Sequence, residues 1–497
     1  MDKSTPSWMS PPKRRKVRDL LKKFENNRKN TSESVMTYTF NKKRIRLLSN
    51  FNDVKENSNG ILYWMFRDVR LQDNWAMLFA QRTALKNSLP LHVCFCLMPN
   101  FLDASLRYYK FLLKGLMEVE EDCKELNINF HLLHGEPNES VLKFVKKYNM
   151  GAVIADFCPL KLPMSWIDDV QKNLPKDVPI CQVDAHNIVP CWHASSKQEI
   201  AARTIRNKIN TKLDEYLTEF PPVVKHPHST EGKFQSNNWE TTLDNVEAGK
   251  PEDEIKWAEP GYKSSIRELE DFIETRLKRY AEQRNNPLSN VISNLSPWFH
   301  FGMLSVQRCI LEIKEHRELY KQSVDSFMEE AIVRKELSDN FCFYNDKYDL
   351  VEGAYPWAIE TLNKHRKDKR KYIYSLSQLE NCQTHDDLWN ASQNQMVTMG
   401  KMHGFLRMYW AKKILEWTES PEIALEWANY LNNKYSIDGC DPNGYVGCVW
   451  SICGIHDHGW GERDIFGKIR YMNYEGCKRK FNVPEFVAKW KQKELDE

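Results

Sequence analysis

The sequence predicts an α/β N-terminal domain on a doubly wound parallel sheet, followed by an all-α C-terminal domain. Three observations carry this expectation. At 497 residues the chain is too long for one ordinary hydrophobic core. Over residues 56–190 short apolar runs recur with helix-length segments between them, the pattern of βαβ units. Beyond residue 262 apolar residues recur at i, i+3 and i+4, which marks amphipathic helices. A linker is expected over 191–261 and a short tail over 486–497.

Residues 1–55 are polar and basic with few periodic apolar positions, so a disordered arm is expected there. Residues 1–50 hold fourteen Lys/Arg against four Asp/Glu, a surplus of ten positive charges; with +3 overall, the remainder carries −7. A weakly acidic body does not bind DNA through global charge, and any phosphate-binding surface has to be a local patch. Pro12-Lys13-Arg14-Arg15-Lys16-Val17 is a compact basic cluster of the kind that directs nuclear import. A solvated charge run and nonspecific attraction to DNA are the alternatives.

The expected strands are ILYWMF (61–66), LHVCFCLM (91–98), INFHLLH (128–134), GAVIADF (151–157) and PICQVDAHNIVP (179–190). No GxGxxG accompanies them, so a nicotinamide dinucleotide is not expected. Thirteen Cys are scattered without a CxxC pair, which fits reduced thiols better than a disulfide framework or a zinc site, and no metal is expected. No apolar run approaches the roughly 18 residues of a membrane span, so a soluble intracellular protein is expected. Residues 221–262 mix Pro, Asn, Ser and charge without period and read as linker. After them, residues 264–284, 323–345, 384–400 and 401–433 carry helical periodicity.

Four constellations stand out. Tyr280, Arg284 and Asn285 precede a Ser293-Asn294-Leu295-Ser296 turn before Pro297 and a helix, an arrangement whose free N–H groups and hydroxyls can cradle an anion. Glu330 and Arg334 are i and i+4, which as a bare surface pair is worth about 0.3–0.5 kcal/mol. Arg407, Trp410 and Trp417 follow one helix face, the two Trp roughly 10 Å apart along the axis; most such stripes are core. Finally, Asp, Asn and Gly crowd between Asn432 and Gly447, with Trp450 and Trp460 following. Such a segment brings backbone close to a ligand and sets aromatic faces beside it.

The last stretch carries a resemblance. IDGCDPNGYVGCVWSICGIHD (437–457) and ERDIFGKIRYMN (462–473) closely resemble the C-terminal flavin site of class II cyclobutane pyrimidine dimer photolyases, light-driven DNA repair flavoproteins of the photolyase/cryptochrome family. RDVRLQDNWAM (67–77) resembles the family's opening motif, with Arg67, Asp68, Arg70, Asp73 and Asn74 at the carboxyl edge of the sheet, where ligands tend to bind. EEAIVRKEL (329–337) resembles the helix whose Glu lies beside the flipped dimer.

The resemblance implies an FAD cofactor, active as FADH⁻, in the all-α domain. Tyr280 with Ser293, Asn294, Leu295 and Ser296 would hold its diphosphate side. Arg407 and Asp438 would pair across the isoalloxazine N5 edge, with the Asn432 amide approaching N5 and Asp441 near the ring. Arg284 and Asn285 would face DNA, and Met408 and Trp450 would contact the dimer. Glu330 would stabilise the dimer radical, with Glu329 as the alternative register. Trp410, then Trp389, then Trp417 would relay electrons to the flavin. Cys448 stands where other classes carry a relay Trp, which favours class II over animal cryptochromes and (6-4) photolyases. The implied partner is UV-damaged DNA containing pyrimidine dimers, bound by a monomer. A light-harvesting antenna, folate or deazaflavin, is left open. The runner-up is a cryptochrome-like photoreceptor without repair activity; against it, the chain runs only a short way past the last motif, so a long signalling tail is not expected. A nonphotochemical flavin or nucleotide-binding protein would leave Glu330, Met408 and Trp450 no reason to converge.

Overall fold

Six strands form one sheet: β1 (Ile45–Leu47), β2 (Gly60–Met65), β3 (Leu91–Leu97), β4 (Asn129–His134), β5 (Met150–Asp156) and β6 (Ile180–Val183), in the order β1-β6-β5-β2-β3-β4. The structure is a computed structural model that describes residues 19–50, 52–230, 234, 236–244, 246 and 254–491. Strands β2 to β6 are parallel, and β1 closes one edge antiparallel to β6, with Ile45 opposite Val183. The pleat sends alternate residues to opposite faces. Ile61, Tyr63 and Met65 of β2 meet one core, while Leu62 and Trp64 meet another. Being covered on both faces, β2, β3 and β5 are buried throughout, as their unbroken apolar runs imply.

The expected arm is ordered over much of its length. α1 (Leu20–Thr31) buries Leu20, Phe24 and Arg28, each a turn apart, and Asp19 caps it by accepting from the Lys22 N–H. The basic composition masks that narrow stripe, which pays off only against other elements. The basic cluster Lys13 to Lys16 lies outside the described residues.

On the sheet, α2 (Trp75–Lys86) and α3 (Leu106–Glu125) cover one face, and α4 (Pro137–Lys147) and α5 (Lys161–Asn173) the other. The expected linker holds short helices of its own, among them Ala202–Asn210 and Trp239–Asp244. From Tyr262 onward the described elements are helical. The 401–433 stretch divides into the Gly404–Trp417 and Pro421–Tyr435 helices, because Ser420 caps the second and Pro421 occupies its first turn.

The opening motif joins the sheet to the helices, and its Arg67 also lines a cleft at the strand ends. Asp73 receives both Arg28 of α1 and Arg308 of the Val306–Lys314 helix, at 3.1 and 2.9 Å. Arg67 donates two hydrogen bonds to Asp339 of the Lys335–Tyr344 helix, at 2.8 and 2.9 Å. Arg67, Asp68, Arg70, Asp73 and Asn74 are all buried. The charged residues at the strand ends therefore clamp the α/β unit to the helices.

Candidate functional site

The Gly404–Trp417 helix is the wall on which the site is built. Arg407 donates to Asp438 at 2.7 Å, as the sequence leads one to expect. Burial alone would raise the Asp438 carboxyl, yet Arg407, Ser296 and Lys401 hold it below its ordinary value. Lys401 donates to Asn294 at 2.6 Å and lies over the Trp257 ring, 4.8 Å from its centroid. Burial lowers its ammonium to about 7. Asn294 adopts φ +61°, a left-handed conformation that Asn tolerates. The 293–296 turn, Lys401, Arg407 and Asp438 thus meet in one place.

Asn432 closes this group from the Pro421–Tyr435 helix. Its Oδ1 accepts from Ser436 at 3.3 Å, while its buried Nδ2 has no hydrogen-bond partner among the described residues. A Cβ at Gly444 would lie 2.7 Å from that nitrogen, so only glycine leaves the amide where it is. Added Cβ atoms at Gly404 and Gly447 would meet nothing within 4 Å. A buried donor awaiting an acceptor, a cation pair, a hydroxyl-bearing turn and glycine-lined space fit a flat anionic cofactor such as FAD. Asp441 lines the cleft at the strand ends. Its carboxylate caps the Pro442–Cys453 helix through the Asn443 N–H at 2.8 Å and pairs with His300 at 3.1 Å.

Met408 and Lys412 are one turn apart on the same wall. Lys412 donates to the Ser451 carbonyl at 2.8 Å and lies over Trp450, 5.2 Å from the ring centroid. Trp460 is 42% exposed, with His458 stacked at 4.9 Å and Arg470 over the ring at 4.9 Å. Sequence reasoning assigned nothing to Lys401 or Lys412, and marked Trp460 only as an aromatic face beside the 432–447 segment. The four-residue spacing from Met408 to Lys412 was the available signal for one of them.

The structure separates Glu329 from Glu330. Residues Glu329–Arg334 form a π-helical turn, so Arg334 meets Glu329 at 3.3 Å and the expected Glu330 pair is absent. Glu329 is also held by Arg206, at 2.7 and 2.9 Å. Glu330 faces Arg284 at 2.9 Å, and Arg284 in turn covers the Tyr280 ring. Asn285 beside them is exposed.

The tryptophans form a contiguous stack. Trp389 lies parallel to Trp410, centroids 6.4 Å apart and planes 9° apart, and meets Trp417 edge-on at 5.8 Å. Trp389 sits between the other two, and its Nε1 donates to the Trp410 carbonyl at 3.0 Å. Cys448 is buried, and burial pushes its thiol up to about 12.

A second cleft opens where β2, β3 and β5 end, between the sheet and the helices. Phe66, Arg67, Leu97, Tyr108, Trp166 and Phe301 are among its lining residues. Among the described residues, His365, Asp368 and Asp464 have ligand atoms close enough to share a metal ion. Two of them are already engaged: His365 with Asp368 and Glu462, and Asp368 with the Ile465 N–H.

A family model described as DNA photolyase matches residues 61–226. The chain belongs to the DNA photolyase family. A relative from Potorous tridactylus, named deoxyribodipyrimidine photo-lyase, is 57% identical over 459 residues, covering 92% of this chain and 86% of the relative. In fold the chain resembles a class III photolyase from Agrobacterium tumefaciens (TM-score 0.69, 16% identity, covering 87% of this chain and 86% of that one). It resembles a Synechocystis cryptochrome equally (TM-score 0.69, 17% identity, 88% and 89%). The fold alone therefore does not separate repair from photoreception.

Proposed function

We propose that this chain repairs cyclobutane pyrimidine dimers in UV-damaged DNA, using light and a bound FAD, as a class II photolyase. The observation that carries the reading is the wall formed by the Gly404–Trp417 helix. Arg407 serves a cofactor group on it, and one residue on, Met408 begins a lesion-facing group with Lys412 and Trp450. A photoreceptor without repair has no need of the second group.

Bound in its reduced form, the FAD supplies one electron to the dimer on illumination and regains it once the cyclobutane bonds have opened. The chain's own residues hold, orient and exclude. Lys401, Tyr280 and the Ser293 to Ser296 turn would hold the diphosphate side. Arg407 and Asp438 would hold the ring, and the Asn432 Nδ2 would donate to it. A dimer flipped from the duplex enters over Trp450 and Met408, since chemistry on a stacked base requires extrusion. Glu330 hydrogen-bonds the lesion, and Arg284 keeps its carboxyl in place while lying near the phosphates with Asn285. Trp460, exposed and bracketed by His458 and Arg470, suits stacking on DNA at the mouth of the pocket. Asp441, by contrast, serves the helix cap.

An antenna chromophore, folate or deazaflavin, is proposed for the cleft at the strand ends. Its aromatic lining and its position at the carboxyl edge of a parallel sheet support this. A monomer suffices, because all of these groups come from one chain. The basic cluster at Lys13 to Lys16 is proposed as a nuclear import signal, and a reporter fused to residues 1–30 that stays cytoplasmic would refute it. The deciding experiment for function is repair of a dimer-containing oligonucleotide by the FAD-loaded protein under blue light. Flavin photochemistry without dimer loss would return the chain to the photoreceptor reading.

A further inference from the structure

Lys412 is fully buried, with its Nζ 5.2 Å from the centroid of the Trp450 ring, while Trp450 itself is only half-buried. The same Nζ donates to the Ser451 carbonyl at 2.8 Å. Ser451 lies in the last turn of the Pro442–Cys453 helix, where carbonyls lack intrahelical partners and favour a cation. Helix capping accounts for that hydrogen bond, but not for a charge that nothing balances. Among the described residues no carboxylate pairs with Lys412, whereas its neighbour Lys413 donates to Glu416 at 2.6 Å. Arg407 has Asp438, and Arg284 has Glu330. The wall that bears Met408 thus holds an unmatched ammonium out of water, against an indole.

We propose that Lys412 is a positioning residue of the repair reaction: acting through the Trp450 ring, its ammonium stabilises the extra electron on the flipped dimer and slows that electron's premature return. This deepens the dimer-repair reading and rests on it. The dimer takes one electron from the bound reduced FAD and becomes a radical anion. Both cyclobutane bonds then open and the electron goes back, so no net oxidation or reduction results. Return before the bonds open restores the intact dimer and wastes the photon. Lys412 itself passes neither a proton nor an electron.

Two features of the setting give the charge its reach. A cation against one face of an indole draws on the ring's negative quadrupole, which leaves the opposite face better suited to an electron-rich partner. With Lys412 buried, the solvent-facing part of Trp450 is what a flipped base can stack on. Burial also keeps the field of the ammonium weakly screened, and a charge already in place needs no reorganisation as the electron arrives. The charge depends on pH. Burial lowers the ammonium to about 7; Asp457 and Cys453 oppose the fall and Arg470 adds to it. Asp457 accepts the His458 N–H at 2.9 Å and lies 3.3 Å from Trp460 Nε1, and Arg470 covers the Trp460 ring, so both are occupied away from Lys412. Lys412 is therefore charged below about 7 and neutral above it.

The test uses the full-length protein with reduced FAD and a dimer-containing oligonucleotide. At pH 6, Lys412→Met should lower the dimers repaired per absorbed photon several-fold and shorten the dimer radical's lifetime, followed by flash absorption, by a similar factor. Both differences should close by pH 8.5, where the parent has lost the charge as well. Lys412→Arg keeps a cation at every pH and should hold at pH 8.5 the yield that the parent shows only at pH 6. Away from turnover, ultraviolet difference spectra of the dark, DNA-free holoenzyme should show an indole change titrating at about 7, missing from Lys412→Met and from Trp450→Phe. Unchanged FAD content and melting temperature establish folding of the variants. Equal yields for the parent and Lys412→Met at pH 6, or no indole titration in the parent, overturns the proposal. A deficit of the same size at both pH values overturns it too and makes Lys412 a helix cap only, as does a yield in Lys412→Arg that falls with pH as the parent's does. If the parent repairs no dimers, the repair reading fails and takes the proposal with it; repair by the parent beside any other of these results leaves that reading standing.

Discussion

Glu329 and Glu330 are neighbours in sequence, yet they are given different work by what surrounds them. Glu329 is spent on Arg206 and Arg334, whereas Glu330 meets Arg284 alone and remains 41% exposed. A carboxyl that hydrogen-bonds charge developing on a substrate is worth about 1.5–3 kcal/mol. Glu330→Ala should therefore lower the dimers repaired per absorbed photon by roughly tenfold while flavin absorbance shows full FAD content. Glu329→Ala should leave that yield near the parent's and lower the melting temperature instead, by an amount equivalent to about 1 kcal/mol, through the loss of Arg206. The reverse pattern would exchange the two roles. Gly444 offers a second check at this scale. A methyl there collides with the Asn432 amide at 2.7 Å, so Gly444→Ala should weaken FAD binding in a fluorescence titration and change the bound flavin's absorption, with little effect on folding of the apoprotein.

At the scale of elements, the Asp387–Met399 helix supplies Trp389 to the stack, and Trp389→Phe keeps most of the packing while replacing an oxidisable indole with a ring that is far harder to oxidise. Photoreduction of the oxidised flavin under blue light should slow strongly in this variant. Repair by enzyme reduced chemically beforehand should run at nearly the parent rate, because the repair electron does not cross the stack. A collapse of both would make Trp389 a core residue only. α1 yields a stability prediction: Arg28→Ala leaves Asp73 with Arg308 and the Tyr262 hydroxyl in a buried site, and should cost about 3 kcal/mol in thermal or urea melts. The short apolar runs and the 3.6-residue period made β2 to β6 and most of the later helices legible, since each buries apolar residues that local sequence spells out. Those patterns do not register the π turn at Glu329–Arg334, which shifts side-chain partners by one residue without disturbing the apolar spacing. β1 and α1 were hidden because three residues and a narrow stripe mean little without the surface that covers them. Within the site, the pairing of Arg407 with Asp438 and the grouping of Trp410, Trp389 and Trp417 were implied by the resemblance to the family's motifs. Lys401 on Trp257 and Lys412 on Trp450 depend on packing between distant segments.

Across the whole molecule, the sheet and the helices are joined by a buried polar interface whose charges are mostly matched. Arg67 meets Asp339, Asn187 donates to both Asp339 and Asp184, and Lys335 donates to Asn187. Glu336 is the exception. Its Oε1 accepts the Ile188 N–H at 2.7 Å and the Val189 N–H at 3.3 Å, while its Oε2 has no hydrogen-bond partner among the described residues. Burial pushes this carboxyl up to about 8; Lys335 and the two N–H groups pull it down, and Asp184 adds to the rise. The unpartnered Oε2 therefore carries a proton at neutral pH. In the unfolded chain the same group titrates near about 4.3. Below that value the carboxyl is protonated in both states and its contribution to stability is complete. Between about 4.3 and 8 unfolding releases the proton, so this contribution is lost progressively as pH rises, and above 8 no further loss occurs. Glu336→Gln mimics the protonated acid at every pH. Its melting temperature should match the parent's near pH 4 and exceed it by several degrees at pH 8.5, the gap opening across the interval in between. A gap that stays constant over this range would mean that Glu336 is ionised in the folded protein and that the Arg67–Asp339 interface accommodates its charge.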